Sequence, residues 1–247
     1  MCAASLFISG GTARTEPAPG FVYLADIDAT IVQDIRYAGS HNFVGRPIAG
    51  YQAAECILTE PAARSLAKAQ AQLAAQELSL MVWDCYRPER AVADFVAWSK
   101  IVDDTRMKAE FYPHTDKSKF FALGYIASRS GHSRGSTVDI GIVPKSISTP
   151  PIFATASPLR SCIGQKGARW DDGTIDFGTG YDCFDERAAT RHAGVGRLAR
   201  ANRQLLQTLM ERAGFQPYAK EWWHFELAAG PSANQGFDFP IVGRNQR

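Results

Sequence analysis

Among the five histidines of this chain, His41, His114, His132, His192 and His224, two stand where an imidazole could do chemistry. His132 lies in the run Ser130-Gly131-His132-Ser133-Arg134-Gly135-Ser136-Thr137-Val138-Asp139. A glycine-punctuated loop there delivers an imidazole, and the strand that follows delivers a carboxylate. His224 closes Glu221-Trp222-Trp223-His224, with a second carboxylate three residues ahead. Two imidazoles and one carboxylate form a standard ligand set of hydrolytic zinc sites, in which the fourth position is left for water. The remaining carboxylate, Glu221, would then serve as general base.

Spacing imposes one condition. In a regular strand, residues three apart point to opposite faces, so Glu221 and His224 reach one site only through a bend or bulge. Each residue also has a plainer reading. His132 would be a loop residue satisfied by serine hydroxyls, His224 a partly buried histidine in an aromatic strand, and Asp139 a surface carboxylate. The joint pattern weighs against these, because two separate segments each supply a histidine and a carboxylate beside a core strand.

The elements that must position these groups are legible. Thr59-Glu60-Pro61 opens a helix in which Leu66, Ala69, Leu73 and Ala74 recur at helical spacing, with Thr59 able to cap it and an expected end near Glu77. Leu80-Met81-Val82-Trp83 reads as a central strand, broken by Asp84-Cys85-Tyr86-Arg87-Pro88. Pro88 opens a second helix with Val92, Phe95 and Val96 on one face. Alternation turns Val138, Ile140 and Ile142 toward a core and Asp139 the other way. Residues 144–182, rich in Gly, Pro, Ser and Asp, predict a functional loop or lid. A third helix over residues 196–213 carries Leu198, Leu205, Leu209 and Met210, and residues 215–218 and 222–227 predict a closing hairpin. This mixed order predicts an α+β fold: a single domain over residues 21–247, with a central, mainly antiparallel sheet and flanking helices. No Gly-x-Gly-x-x-Gly follows a strand, which weighs against a doubly wound nucleotide-binding fold.

Composition excludes other classes. Lys and Arg number 27 against 25 Asp and Glu, a net charge of +2, with no run of five or six like charges, so an electrostatic nucleic-acid binder is excluded. No stretch approaches the roughly 20 apolar residues of a membrane-spanning helix. Residues 1–20 read as a flexible leader or the remnant of a signal peptide, since a short apolar patch lacks the basic segment that would complete one.

The five cysteines, Cys2, Cys56, Cys85, Cys162 and Cys183, include no CxxC pair, which argues against a thiolate metal site. Either they are buried thiols of a cytoplasmic enzyme, or four of them form two disulfides in an oxidising compartment, with Cys2 left over. Placement favours pairing. Cys56 precedes the first helix and Cys85 ends the strand after it, while Cys162 and Cys183 bracket a Gly- and Asp-rich loop. Bridges Cys56–Cys85 and Cys162–Cys183 in a periplasmic protein are the expectation, a cytoplasmic protein with free thiols the alternative.

Ser-x-His-x-x-Gly-x-x-x-Asp followed at a distance by Glu-x-Trp-His resembles the zinc-dependent D-alanyl-D-alanine dipeptidases of the VanX type, which are related to D,D-carboxypeptidases and to the amino-terminal hedgehog domain. Other segments are similar to that family in the same order. They are Tyr37-Ala38 with Asn42-Phe43 and Gly45, Trp83-Asp84-x-Tyr86-Arg87-Pro88, Phe177-Gly178-Thr179 with Asp182 and Phe184-Asp185-Glu186-Arg187, and Phe237-Asp238-Phe239-Pro240. The resemblance spans about residues 22 to 242.

It implies one Zn2+ per chain held by His132, Asp139 and His224, with Glu221 as general base and Arg87 stabilising the anionic tetrahedral intermediate. It also suggests Ser130, Asp182 and Tyr37 near the substrate's amino end, where a serine lone pair and a carboxylate would meet a free ammonium. Plainer readings make Arg87 a surface arginine paired with Asp84, Asp182 a turn carboxylate, and Tyr37 a packing residue. Gly131, Thr137, Cys85 and the length of loop 146–174 depart from the family pattern. The implied function is hydrolysis of the D-alanyl-D-alanine dipeptide to two D-alanines in peptidoglycan-precursor or wall-fragment metabolism, with that small dipeptide as the partner. A D,D-carboxypeptidase acting on stem peptides is the nearest alternative. A non-catalytic zinc-binding recognition domain is another, against which Glu221 and Arg87 both argue. The sequence sets no oligomeric state, and Trp222 and Trp223 suit a core or an interface equally.

Overall fold

The computed structural model describes residues 17–232 and 234–244. The leader expected at residues 1–20 falls outside that range apart from residues 17–20, as does Cys2. The elements run β1 (Phe21–Tyr23), α1 (Leu24–Ile27), β2 (Val32–Gln33), β3 (Ile57–Thr59), α2 (Glu60–Ala74), β4 (Leu78–Asp84), α3 (Glu89–Ser99), α4 (Lys108–Phe111), α5 (Phe120–Leu123), β5 (Thr137–Pro144), α6 (Arg197–Arg212), β6 (Phe215–Pro217) and β7 (His224–Leu227). Five strands make one sheet in the order β2-β4-β5-β7-β6. β2 runs parallel to β4, and every other neighbouring pair is antiparallel. β1 and β3 pair separately. The fold is α+β, as the order of elements predicts.

α2 buries Ala62, Ala63, Leu66, Ala69 and Leu73, the stripe its sequence period predicts except for Ala74, which is exposed at the end of the helix. It ends at Ala74, earlier than expected, and Glu77 beyond it has crossed to a left-handed φ of 54°. Thr59 does not cap it, because its Oγ1 is hydrogen-bonded to Ser136 Oγ at 2.6 Å. On α6 the buried stripe runs through Ala199, Arg203, Leu206, Leu209 and Met210. Leu198, expected on that stripe, is 65% exposed, since it sits about 100° round the helix from Ala199. The apolar period misreads this helix because the stripe contains an arginine. Arg203 donates to the carbonyls of Phe177, Arg187 and Ala189 at 2.7–2.8 Å.

β5 is buried on both faces, so Asp139 is as enclosed as Val138 rather than a surface carboxylate. Trp222 and Trp223 are both core residues. Cys56 is bonded to Cys85 and Cys162 to Cys183, with Cα atoms 5.4 and 5.6 Å apart, inside the usual span of such bridges. The long loop packs over His41, against which Phe153 stacks at 3.9 Å and Trp170 sits edge-on.

Candidate metal centre

Strand register lays out the site. β4 and β5 keep regular antiparallel register from Leu78↔Pro144 to Val82↔Ile140, and then an irregularity at Trp83 brings Asp84 opposite Asp139. Uninterrupted register would have set Asp84 against Val138, and a shift of one residue turns a side chain to the other face of a sheet. Across the other edge of β5, Asp139 lies opposite His224, the first residue of β7. Residues directly opposite in an antiparallel pair share a face. Asp84, Asp139 and His224 therefore form a row across three strands.

His132 comes from a short 3-10 turn, Gly131–Arg134, just ahead of β5. Ser130 caps that turn, its Oγ accepting the His132 N–H at 3.3 Å. Gly135 closes it at φ 78°, where a Cβ would stand 2.1 Å from the Phe21 ring. His132 Nδ1 lies 2.7 Å from the Cys85 carbonyl oxygen. That oxygen only accepts, so Nδ1 is the donor there and Nε2 is the nitrogen turned toward Asp139 and His224. Asp84 Oδ2 approaches the same Nδ1 at 3.3 Å. Metal-ligating histidines are oriented in this way, donating their other N–H to a carbonyl or carboxylate.

The bend required between Glu221 and His224 is present. β7 starts only at His224, and before it the chain turns: Glu221 N–H donates to the Tyr218 carbonyl and His224 N–H to the Glu221 carbonyl. The Glu221 carboxylate thereby reaches 3.6 Å from His224 Nδ1. Burial, partly offset by His224 and reinforced by the charge of Asp139, pushes Glu221 up to about 7, where a carboxylate can both take and return a proton.

Three donor atoms converge beside it. Asp139 Oδ1 is 3.3 Å from His132 Nε2 and 3.1 Å from His224 Nδ1, and the two nitrogens are 3.3 Å apart. A tetrahedral zinc with bonds of about 2.0–2.1 Å has edges of about 3.3 Å. The triangle has the size of one face of that tetrahedron, and the donors are the two nitrogens and one oxygen such a site uses. Among the described residues these three are the group that could hold a metal ion. Burial opposes charge on Asp139, but the two imidazoles hold its carboxyl well below the usual range, so an anionic ligand is ready for a cation.

The triangle opens on a cavity of about 200 Å³ that Tyr37, Arg87, Ser130, Asp182 and Glu221 also line. Arg87 does pair with Asp84, at 2.8 Å, yet it is no surface residue: it is enclosed, its Nη2 is 3.7 Å from Asp139 Oδ2, and it lies over the Tyr37 ring. Tyr37 is more than packing, since its hydroxyl donates to Asp182 Oδ2 at 2.7 Å. Burial first, then the charge of Asp139, raises Asp182 well above the usual carboxylate range. Ser130 differs from expectation. Its lone pairs already face the His132 N–H and Arg87 Nη1, at 3.3 and 3.5 Å, so its spare capacity is an O–H donor suited to a carboxylate or carbonyl rather than to an ammonium. No lining residue comes from loop 146–174, and of the stretch 144–182 expected to form a loop or lid, Asp182 alone borders this cavity.

Sequence reasoning missed Asp84 and the Cys85 carbonyl as partners of His132, although both sit in the motif that supplied Arg87. It also missed Tyr181, whose hydroxyl donates to Asp139 Oδ2 at 3.0 Å; its only local signal is adjacency to Asp182.

The sequence model of a peptidase family, M15, described as D-ala-D-ala dipeptidase, matches residues 17–146 and 143–242. The chain belongs to that family. Among characterised relatives it is similar to a D-alanyl-D-alanine dipeptidase of Enterococcus faecium, 34% identical over 90% of this chain and 98% of that one. It is equally similar to one of Streptomyces coelicolor, 34% identical with the same coverage. A D-alanyl-D-alanine dipeptidase of Escherichia coli is 29% identical over 85% of this chain and 86% of its own length. Membership of the D-ala-D-ala dipeptidase family makes the chain an enzyme, a hydrolase of the peptidase class, and sets aside the non-catalytic reading. Among the described residues no helix is long and apolar enough to cross a membrane.

Proposed function

We propose that this chain is a zinc-dependent dipeptidase that cleaves D-alanyl-D-alanine into two D-alanines, with residues 21–247 as its catalytic unit. The observation that supports it best is the donor triangle of His132, Asp139 and His224 at zinc-tetrahedron spacing, with the Glu221 carboxylate beside it. Those three residues would hold one Zn2+ per chain. When bound, zinc supplies Lewis acidity, lowering the pKa of a water toward about 7 and polarising a carbonyl.

The chain's own groups do the rest. Glu221 accepts the proton of the attacking water and passes it to the leaving amine as the C–N bond breaks. Arg87, fixed by its pair with Asp84, donates to the carbonyl oxygen as negative charge develops there. Asp182, held by Tyr37, pairs with the substrate's free ammonium. Ser130 donates its O–H to a substrate oxygen. A cavity of about 200 Å³ is smaller than the roughly 300–1,000 Å³ of pockets for drug-sized ligands, which favours a free dipeptide over a stem peptide.

One assay separates this reading from a D,D-carboxypeptidase. D-alanine should be released from the free dipeptide, not from a stem pentapeptide, and a chelator should stop the release until zinc is restored. Equal turnover of the pentapeptide would move the assignment to carboxypeptidase, and indifference to chelation would remove the metal from the mechanism.

The cysteine pairs support an exported, periplasmic location, because such bridges persist in oxidising compartments. Mass spectrometry of non-reduced digests should recover Cys56 linked to Cys85 and Cys162 linked to Cys183, each bridge contributing about 2–4 kcal/mol. Four alkylatable thiols would return the protein to the cytoplasm.

A further inference from the structure

The two oxygens of Asp139 have separate surroundings. Oδ1 faces both imidazole nitrogens, at 3.3 and 3.1 Å. Oδ2 faces the Tyr181 hydroxyl at 3.0 Å and Arg87 Nη2 at 3.7 Å. A carboxylate free to turn could offer both oxygens to one cation, and the second would fill the position that a hydrolytic site keeps open. From this geometry we infer that Tyr181 is a positioning residue, whose hydroxyl ties up Oδ2 so that Asp139 presents one oxygen to the metal. The inference rests on the zinc reading above and adds to it a role for a residue outside the ligand set.

The phenol is itself firmly placed. Its ring stacks on Trp83 at 4.7 Å and 11°, and meets Trp223 edge-on at 5.6 Å. Both tryptophans are buried, and Trp83 is the residue at the β4 irregularity that sets Asp84 opposite Asp139. On the chain side, Gly180 N–H is bonded to the Cys162 carbonyl and Cys183 is joined to Cys162. Tyr181 is thus held between a strapped backbone and two core rings, with its hydroxyl as the one polar atom delivered to the centre. That hydroxyl also lies 3.5 Å from the Tyr37 hydroxyl, and Tyr37 holds Asp182. The same phenol therefore touches the carboxylate assigned to the metal and the tyrosine that orients the carboxylate assigned to the ammonium. A hydroxyl has one proton to give, and the shorter contact with an anion directs it to Asp139.

Tyr181→Phe tests this, since it removes one oxygen and keeps the ring on Trp83. Groups that hold a metal ligand from behind are worth about 10–100-fold in metal affinity or activity. Zinc affinity, measured on the whole chain by competition with a chromophoric chelator, should weaken by that factor. The visible spectrum of the cobalt(II)-substituted variant should also change from that of the parent, reporting altered coordination at Asp139. The thermal midpoint of the chelator-treated variant should match that of the chelator-treated parent. Unchanged zinc affinity with an unchanged cobalt spectrum overturns the inference while leaving the zinc site in place, and so does a drop in thermal midpoint without any change in metal affinity. A parent chain that binds neither zinc nor cobalt brings down this inference together with the site reading.

Discussion

His224→Ala should lose zinc and D-alanyl-D-alanine hydrolysis together, whereas Glu221→Ala should lose hydrolysis and keep zinc. The contrast is large because the two residues, three apart in the chain, stand on opposite sides of the ligand boundary. His224 Nδ1 is a corner of the donor triangle, 3.1 Å from Asp139 Oδ1 and 3.3 Å from His132 Nε2. Removing it leaves two protein ligands where a hydrolytic zinc site uses three. The carboxylate of Glu221 stands off that triangle, 3.6 Å from the same nitrogen, and its removal deletes the group that moves the proton. Loss of a general acid–base group costs about 10²–10⁴-fold in rate. Elemental analysis of each variant, alongside D-alanine release, checks both halves. Zinc lost from Glu221→Ala at normal folding would make Glu221 a ligand, and zinc retained by His224→Ala would remove His224 from the set.

The elements that carry the site were legible because each has a local cause. Pro88 sets the start of α3, and hence keeps Arg87 in the turn between β4 and that helix. Gly135 closes the turn that presents His132, and the break at Tyr218 lets Glu221 and His224 face one another. Even the bend before His224 follows from period arithmetic, since a strand alone would have parted the pair. What escaped is what no local pattern encodes. Asp84 reaches the ligand row only because one irregularity at Trp83 shifts its register against β5, and nothing in the run Val82-Trp83-Asp84 announces it. Tyr181 meets Asp139 across 42 positions of sequence, inside a stretch without periodicity. Burial inverted two further expectations. Asp139 alternates like a solvent-facing residue, yet it is buried among His132, His224 and Tyr181. Leu198 alternates like a core residue, yet the stripe beside it is completed by an arginine whose charge is satisfied by three carbonyls.

Acetylating the amino end of the dipeptide should remove most of its turnover, and Asp182→Asn should cost the free dipeptide far more than the acetylated one. Asp182 is enclosed in the cavity, bonded to Tyr37, and raised well above the usual carboxylate range by burial and by the charge of Asp139. Burial thus opposes its charge, and the ammonium of a free dipeptide is the partner that favours the ionised carboxylate. The acetylated dipeptide brings no such charge. The penalty is then the missing ion pair with Asp182. Losing one partner of a buried, hydrogen-bonded charge pair costs about 2–5 kcal/mol, roughly 30- to 5,000-fold in kcat/KM. Asp182→Asn mimics the neutral acid, so it should cost the free dipeptide within that range while adding little to the loss already caused by acetylation. The two changes must be non-additive if the groups touch, because each removes the same pair. Measuring kcat/KM for both peptides with both proteins closes the cycle. Equal turnover of free and acetylated dipeptide would favour a carboxypeptidase, whose substrate continues as an amide at that position. An equal loss for both peptides on Asp182→Asn would instead confine Asp182 to holding Tyr37 and the turn at its own left-handed φ of 54°.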